Sequence, residues 1–244
     1  MGILEEFLDH DDAGRAAEVM ADLRKHGFHE CALTGSVALE IQMISHGLTP
    51  QRRQLNDLDY VVHEFGSIPG ALAGAFLVHH VHPNAPPGKL LVQLVDPDRA
   101  LRIDLFRAFG ASMSRANALH DLLAPLTRVL SLEDLAARYT SYVYGHVRDG
   151  RPVEGKHAQS FLRLASLDTF RNDELETAWH DHRQGLTESF FKARESANDL
   201  LQRHPELLFQ PKYSDEVLPC DRCQDFGPFQ RTDPALIVNS LGYW

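Results

Sequence analysis

The stretch Asn56-Asp57-Leu58-Asp59-Tyr60-Val61-Val62 decides how this chain is read. Its β-branched and aromatic residues after the acids predict a strand running from Leu58 to His63. Side chains on a strand alternate faces, so Asp57 and Asp59 point the same way while Leu58 points to the other face. Two carboxylates side by side repel each other, and a bound divalent cation relieves that repulsion. Upstream, Leu33-Thr34-Gly35-Ser36 closes a short strand and leads into an apolar helix-like run. Downstream, Leu101-Arg102-Ile103-Asp104-Leu105-Phe106 carries a third carboxylate on another strand-like run. A Gly-Ser turn, an Asp-x-Asp pair and a lone Asp on a later strand fit a metal-dependent phosphoryl-transfer site. Arg102 flanks Asp104 and is expected to face the opposite side of its strand.

Working outward, residues 11 to 26 carry apolar positions at helical spacing, with Asp11 or Asp12 as the cap and Gly27 as the stop. A short strand is expected over Phe28 to Leu33, and an apolar helix over Ser36 to His46, closed by Gly47. The polar run Leu48 to Asn56 reads as a loop. A small-residue helix is expected around Ile68 to Ala75. Strands follow at Phe76 to Val81, Leu90 to Val95 and Leu101 to Phe106. The last two are joined as a hairpin by Asp96-Pro97-Asp98-Arg99. Pro83 to Gly88 reads as a loop. Beyond about residue 110 the strand signal fades. Ser131 and Asp134 form a capping-box pattern that starts a helix to about Val147. Further helices are expected at 155 to 167, 171 to 183 and 187 to 203, with Phe161, Phe170, Trp179, Phe190 and Phe191 as their core. The expected fold class is α+β: a mixed sheet flanked by helices over residues 1 to 110, a helical half over 111 to 205, and an irregular tail over 206 to 244 packing on the body.

Of the 244 residues, 43% are hydrophobic and 24% charged, which suits a globular protein able to bury a core. No apolar run approaches the roughly 20 residues of a membrane span, so no membrane partner is expected. The acidic start Met1-Gly2-Ile3-Leu4-Glu5-Glu6 lacks the basic region of a signal peptide. Three cysteines are too few for a disulfide scaffold and fit a reducing, cytoplasmic setting. The net charge of -10 opposes strong non-specific binding to nucleic acid. It tolerates a cationic small molecule, a protein acceptor, or a nucleic acid held by a local patch. Cys220-Asp221-Arg222-Cys223 has the spacing of half a zinc site, and two free thiols explain it as well. His80 and His82 would share a strand face as a metal pair, and ordinary polar alternation explains them equally.

Moving a nucleotidyl group needs the phosphate oriented, the attacking oxygen activated and the leaving pyrophosphate neutralised. Mg²⁺ is a hard cation that prefers carboxylate and phosphate oxygens. Asp57 and Asp59 could hold Mg²⁺ or Mn²⁺, and Asp104 could ligate one ion and accept the acceptor's proton. Gly35 would let backbone approach phosphate, the following helix would present its positive end, and Ser36 would add a hydroxyl donor. Arg52 and Arg53 read as a solvated loop beside the Asp pair, with Arg53 a candidate contact for the triphosphate.

The order strand, Gly-Ser, helix, Asp-x-Asp, strands, Asp resembles the nucleotidyltransferase fold of the DNA polymerase beta-like superfamily, over roughly residues 28 to 107. The resemblance implies transfer of an NMP from an NTP to an acceptor hydroxyl. It also implies that Gly35, Ser36, Asp57, Asp59 and Asp104 form the site. Within that superfamily the chain looks most similar to abortive-infection toxin-type enzymes and their uncharacterised relatives. Ser131-Leu132-Glu133-Asp134-Leu135-Ala136 resembles the start of their second motif region, and Lys156 would be its lysine, a phosphate contact. There are departures. Ser36 and Asp57 lie 21 positions apart, more than the compact motif has, and Lys156-His157-Ala158-Gln159 lacks the expected acid. The acceptor stays open between a small molecule of the aminoglycoside type, a protein and tRNA. A non-catalytic member that binds nucleotide or protein is the other alternative.

Overall fold

A computed structural model describes residues 2–82, 91–118, 127–210, 224–231 and 233–234. In chain order the elements are α1 (His10–Lys25), β1 (Cys31–Thr34), α2 (Gly35–Ser45), β2 (Asp57–Val62), β3 (Leu77–His82), β4 (Leu91–Asp96) and β5 (Leu101–Arg107). Next come α3 (Ser112–Arg115), β6 (Asn117–Ala118), β7 (Arg128–Val129), α4 (Leu132–Arg148), β8 (Val153–Glu154) and α5 (Gly155–Ala165). The chain continues with α6 (Asn172–His182), α7 (Phe190–Arg203), β9 (Leu208–Phe209) and β10 (Gln224–Gln230). The protein is thus a mixed α+β fold. By contacts it divides into two compact units. One gathers Met1–Ala108, Ala116–Leu130 and Leu218–Trp244, and the other Phe109–Arg115 and Ser131–Val217.

The first unit is built on an eight-stranded sheet in the order β10-β3-β4-β5-β2-β1-β7-β6. β1 runs antiparallel to β2, β2 parallel to β5, and β4 antiparallel to both β3 and β5. One face of the central strands is dry: Leu58, Tyr60, Ile103 and Leu105 are buried. That alternation is the pattern read from the sequence, and it leaves the acids on the other face. The β4–β5 hairpin turns on Asp96, whose Oδ1 accepts from the backbone N–H groups of Asp98 and Arg99. Arg99 then reaches Glu18 and Asp22 of α1, pinning the turn to that helix.

Several details depart from expectation. Asp9, not Asp11 or Asp12, caps α1, its side chain accepting from the Asp12 N–H. The small-residue helix near Ile68 is two 3₁₀ turns, Phe65–Ser67 and Gly70–Gly74. Three glycines and Pro69 within ten residues deny an α-helix its ordering and its donors. Strand structure does not stop at residue 110, because the two-residue strands β6 and β7 extend the sheet past β1. Nor is the tail wholly irregular. β10 pairs antiparallel with β3, with a register break between Asp225 and Gln230 that holds Gly227 and Pro228. The outer edge of β3 has backbone donors and acceptors that a further strand satisfies, while Gly and Pro hide that strand from a periodicity reading.

The second unit packs α5, α6 and α7 around α4. Ser131 caps α4 by accepting from the Asp134 N–H at 3.1 Å, the capping arrangement its sequence predicts. Asp134 is fully buried and is the hub of the unit. Arg115 clasps it with two N–H groups at 2.7 and 3.0 Å, Ser131 donates its hydroxyl at 2.7 Å, and His182 Nε2 lies at 3.0 Å. Burial of Asp134 opposes its charge, yet the bonds from His182, Arg115 and Ser131 hold its carboxyl below the usual range. Burial pushes the His182 imidazole the other way from charge, below its ordinary pKa. Phe161, Trp179 and Phe190 form the expected aromatic core, whereas Phe191 is exposed and lies under the Arg194 guanidinium. Among the described residues no helix is long and apolar enough to cross a membrane.

Candidate active site

Strand register brings the acids together. Asp59 of β2 lies opposite Thr34 of β1 on one side and Asp104 of β5 on the other. Asp57 lies opposite Arg102, two residues before Asp104 on the same strand. Because pairing across a sheet keeps side chains on one face, Asp57, Asp59, Arg102 and Asp104 share a face. The carboxylates of Asp57 and Asp104 are largely covered, and only the rim of each meets solvent.

The Gly-Ser turn closes against this row. Thr34 ends β1 and is the N-cap of α2, and Gly35, the first residue of that helix, adopts φ +70°. A Cβ at position 35 would lie 1.9 Å from Asp59 Oδ2 and 2.7 Å from its Cγ. Glycine is required here twice, for the left-handed backbone and for room beside the carboxylate. The N-terminal turn of an eleven-residue helix, with N–H groups that lack intrahelical partners, therefore begins beside Asp59. Ser36 is half-buried at the second position of α2.

Two residues enter the site that the sequence reading left out. Arg102 does not face away from Asp104. Residues two apart on a strand share a face, and Arg102 donates through Nη2 to Asp57 Oδ2 while its Nε lies 3.3 Å from Asp104 Oδ1. Burial works against its charge, but Asp104, Asp57 and Asp59 outweigh it and raise the guanidinium above its ordinary pKa. Gln93 of β4 lies opposite Asp104 and donates through Nε2 to its Oδ1 at 2.9 Å. A lone glutamine inside the apolar run Leu90-Leu91-Val92-Gln93-Leu94-Val95 was the available signal.

Arg53 is engaged elsewhere. Its Nε donates to Oε1 of Glu40, a fully buried acid of α2, and its backbone N–H donates to Phe7 O. Glu40 Oε2 accepts from the Gln51 N–H, and Arg52 donates to Leu8 O. The loop between α2 and β2 is thus clamped to the helix and to the N-terminal segment. Lys156 sits in the other unit at the start of α5, paired with Glu154 at 3.2 Å. Cys220, Cys223 and the side chains of His80 and His82 lie outside the described residues.

The donor set of Asp57, Asp59 and Asp104 is all carboxylate, the chemistry that a hard divalent cation prefers. Arg102 shows that the row draws a cation to it. By ligand type these residues suit Mg²⁺ or Mn²⁺, but as placed here no group of three His, Cys, Asp or Glu side chains among the described residues is arranged to hold a metal ion.

No family model matches the sequence, and no curated protein matches it. Among solved structures the chain is similar to JHP933 of Helicobacter pylori, at 13% identity and a TM-score of 0.36, over 82% of this chain and 94% of that one. It is also similar to an H. pylori protein provisionally named a nucleotidyltransferase, at 13% identity and a TM-score of 0.31, over 79% and 96% of the two chains. Both likenesses are in coarse layout alone.

Proposed function

We propose that this chain is a metal-dependent nucleotidyltransferase that moves an NMP from an NTP to an acceptor hydroxyl. The observation that carries the reading is the contact of Gly35 with Asp59, which sets a helix N-terminus beside a row of three aligned carboxylates. Mg²⁺ or Mn²⁺ held by Asp57, Asp59 and Asp104 would supply charge neutralisation for the triphosphate and the departing pyrophosphate. The first turn of α2 would orient the phosphates through backbone N–H groups, with Gly35 admitting close approach and Ser36 adding a hydroxyl donor. Asp104, steadied by Gln93, would take the acceptor's proton. Lys156 is carried as a phosphate contact by the resemblance alone, whereas Arg53, read as a phosphate contact from its place beside the Asp pair, is bonded to the buried Glu40 and is not part of this reading. The acidic net charge suits a cationic small molecule or a protein acceptor better than tRNA.

The test is to incubate the protein with labelled NTPs and Mg²⁺ and follow nucleotide binding and pyrophosphate release. Asp57→Ala with Asp59→Ala should lower release at least about 100-fold, the scale of losing a few kcal/mol of charge stabilisation. Wild type that neither binds NTP nor differs from the double variant sinks the reading. A second reading, nucleotide binding without transfer, is favoured by the ion pair of Arg102 with Asp57. It predicts NTP binding with no pyrophosphate released. Growth arrest on expression would point to a toxin-like acceptor, and drug resistance to a small cationic one.

A further inference from the structure

Arg102 holds a position in the row that a metal ion would also seek. It bonds Asp57 through Nη2 and lies 3.3 Å from Asp104 through Nε, and it approaches the row from the strand that carries Asp104. The fit is incomplete. The Nε–H is buried and has no well-formed hydrogen bond, because its contact with Asp104 has the distance of an ion pair without the alignment of a bond. A guanidinium also brings only a single positive charge to a row of three carboxylates. A divalent cation at the same oxygens would neutralise more charge, and it would repel the guanidinium at contact distance. The side chain is 42% exposed, so part of it already meets solvent although its Nε is buried.

We propose that Arg102 is the resident counter-cation of the carboxylate row, and that it and a divalent cation occupy Asp57 and Asp104 by turns. Resting on the metal-dependent reading above, this makes Arg102 a positioning residue. It keeps the acids aligned before the metal arrives and sets how tightly the metal is held. The long strand β5, paired on both sides, fixes the backbone of Arg102, so the exchange is confined to its side chain.

The probe is Mn²⁺ without nucleotide, titrated by calorimetry or electron paramagnetic resonance into wild type, Arg102→Gln and Arg102→Lys. Arg102→Gln removes the competing charge and should bind Mn²⁺ about tenfold more tightly, equivalent to about 1.4 kcal/mol. Arg102→Lys keeps the charge and should stay near wild type. A second measurement uses wild type alone, labelled with ¹⁵N-arginine. Mg²⁺ should shift the Arg102 Nε–H resonance and speed its exchange with solvent. Mg²⁺ or Mn²⁺ binding with that resonance unmoved, or with equal affinity in Arg102→Gln, overturns the role of Arg102 while the metal site stands. If neither wild type nor Arg102→Gln binds Mn²⁺, the metal-dependent reading fails and this one fails with it.

Discussion

A methyl group at position 35 would meet Asp59 at 1.9 Å on a backbone already at φ +70°. Gly35→Ala should therefore cost about 1–3 kcal/mol from backbone strain, with more from the clash. The measurement is thermal unfolding alongside Mn²⁺ titration. Gly35→Ala should lower both the melting temperature and the affinity, and unchanged Mn²⁺ affinity would separate Gly35 from the site. Individual residues were unevenly legible. Asp57, Asp59 and Asp104 stand out because carboxylates sit within or at the start of otherwise apolar strand-like runs. Arg102 was misplaced on its strand although period two alone puts it beside Asp104. Glu40 was invisible, an acid inside the apolar helix Val37 to Ile44, because its partner comes from a loop thirteen positions on.

The pairing of α2 with the loop that follows it shows how elements hold the site. Glu40 is fully buried with Arg53 bonded to one oxygen and the Gln51 N–H to the other. Removing one member leaves a buried, unpaired charge, whereas replacing both with apolar groups does not. Glu40→Ala should lose about 3–5 kcal/mol, and Glu40→Leu with Arg53→Met should recover most of that loss. Chemical denaturation of wild type, Glu40→Ala and the double variant checks this, with Glu40→Leu and Arg53→Met alone completing the cycle, and single effects that add in the double variant would count against a coupled pair. Helices and strands with strong periodicity were legible within one to three residues, α2 and α4 among them. The 3₁₀ turns and β10 were not, since Gly and Pro erase the periodic signal and a neighbouring strand's edge decides the outcome.

At the level of the whole chain, acid should act first through the helical unit. His182 is buried with its pKa lowered, so below its ordinary value of 6.5 the unfolded chain binds a proton that the folded one refuses. Its contribution to stability is lost as pH falls from 6.5 toward its depressed native value. Asp134, also lowered, adds a further loss as pH falls below 3.8. Melting of wild type and His182→Gln against pH checks this. The variant should flatten the decline just below pH 6.5, and parallel curves would refute the assignment. The local pattern of residues was enough to determine the α+β class, the order of most elements and the acids that share a strand, because these follow from backbone periodicity and capping chemistry. The register that sets Asp59 between Thr34 and Asp104, the press of Gly35 on Asp59, and the seating of Arg102 among the carboxylates belong to the folded molecule. They depend on which strands become neighbours, and strand partners far apart in the chain leave no local trace.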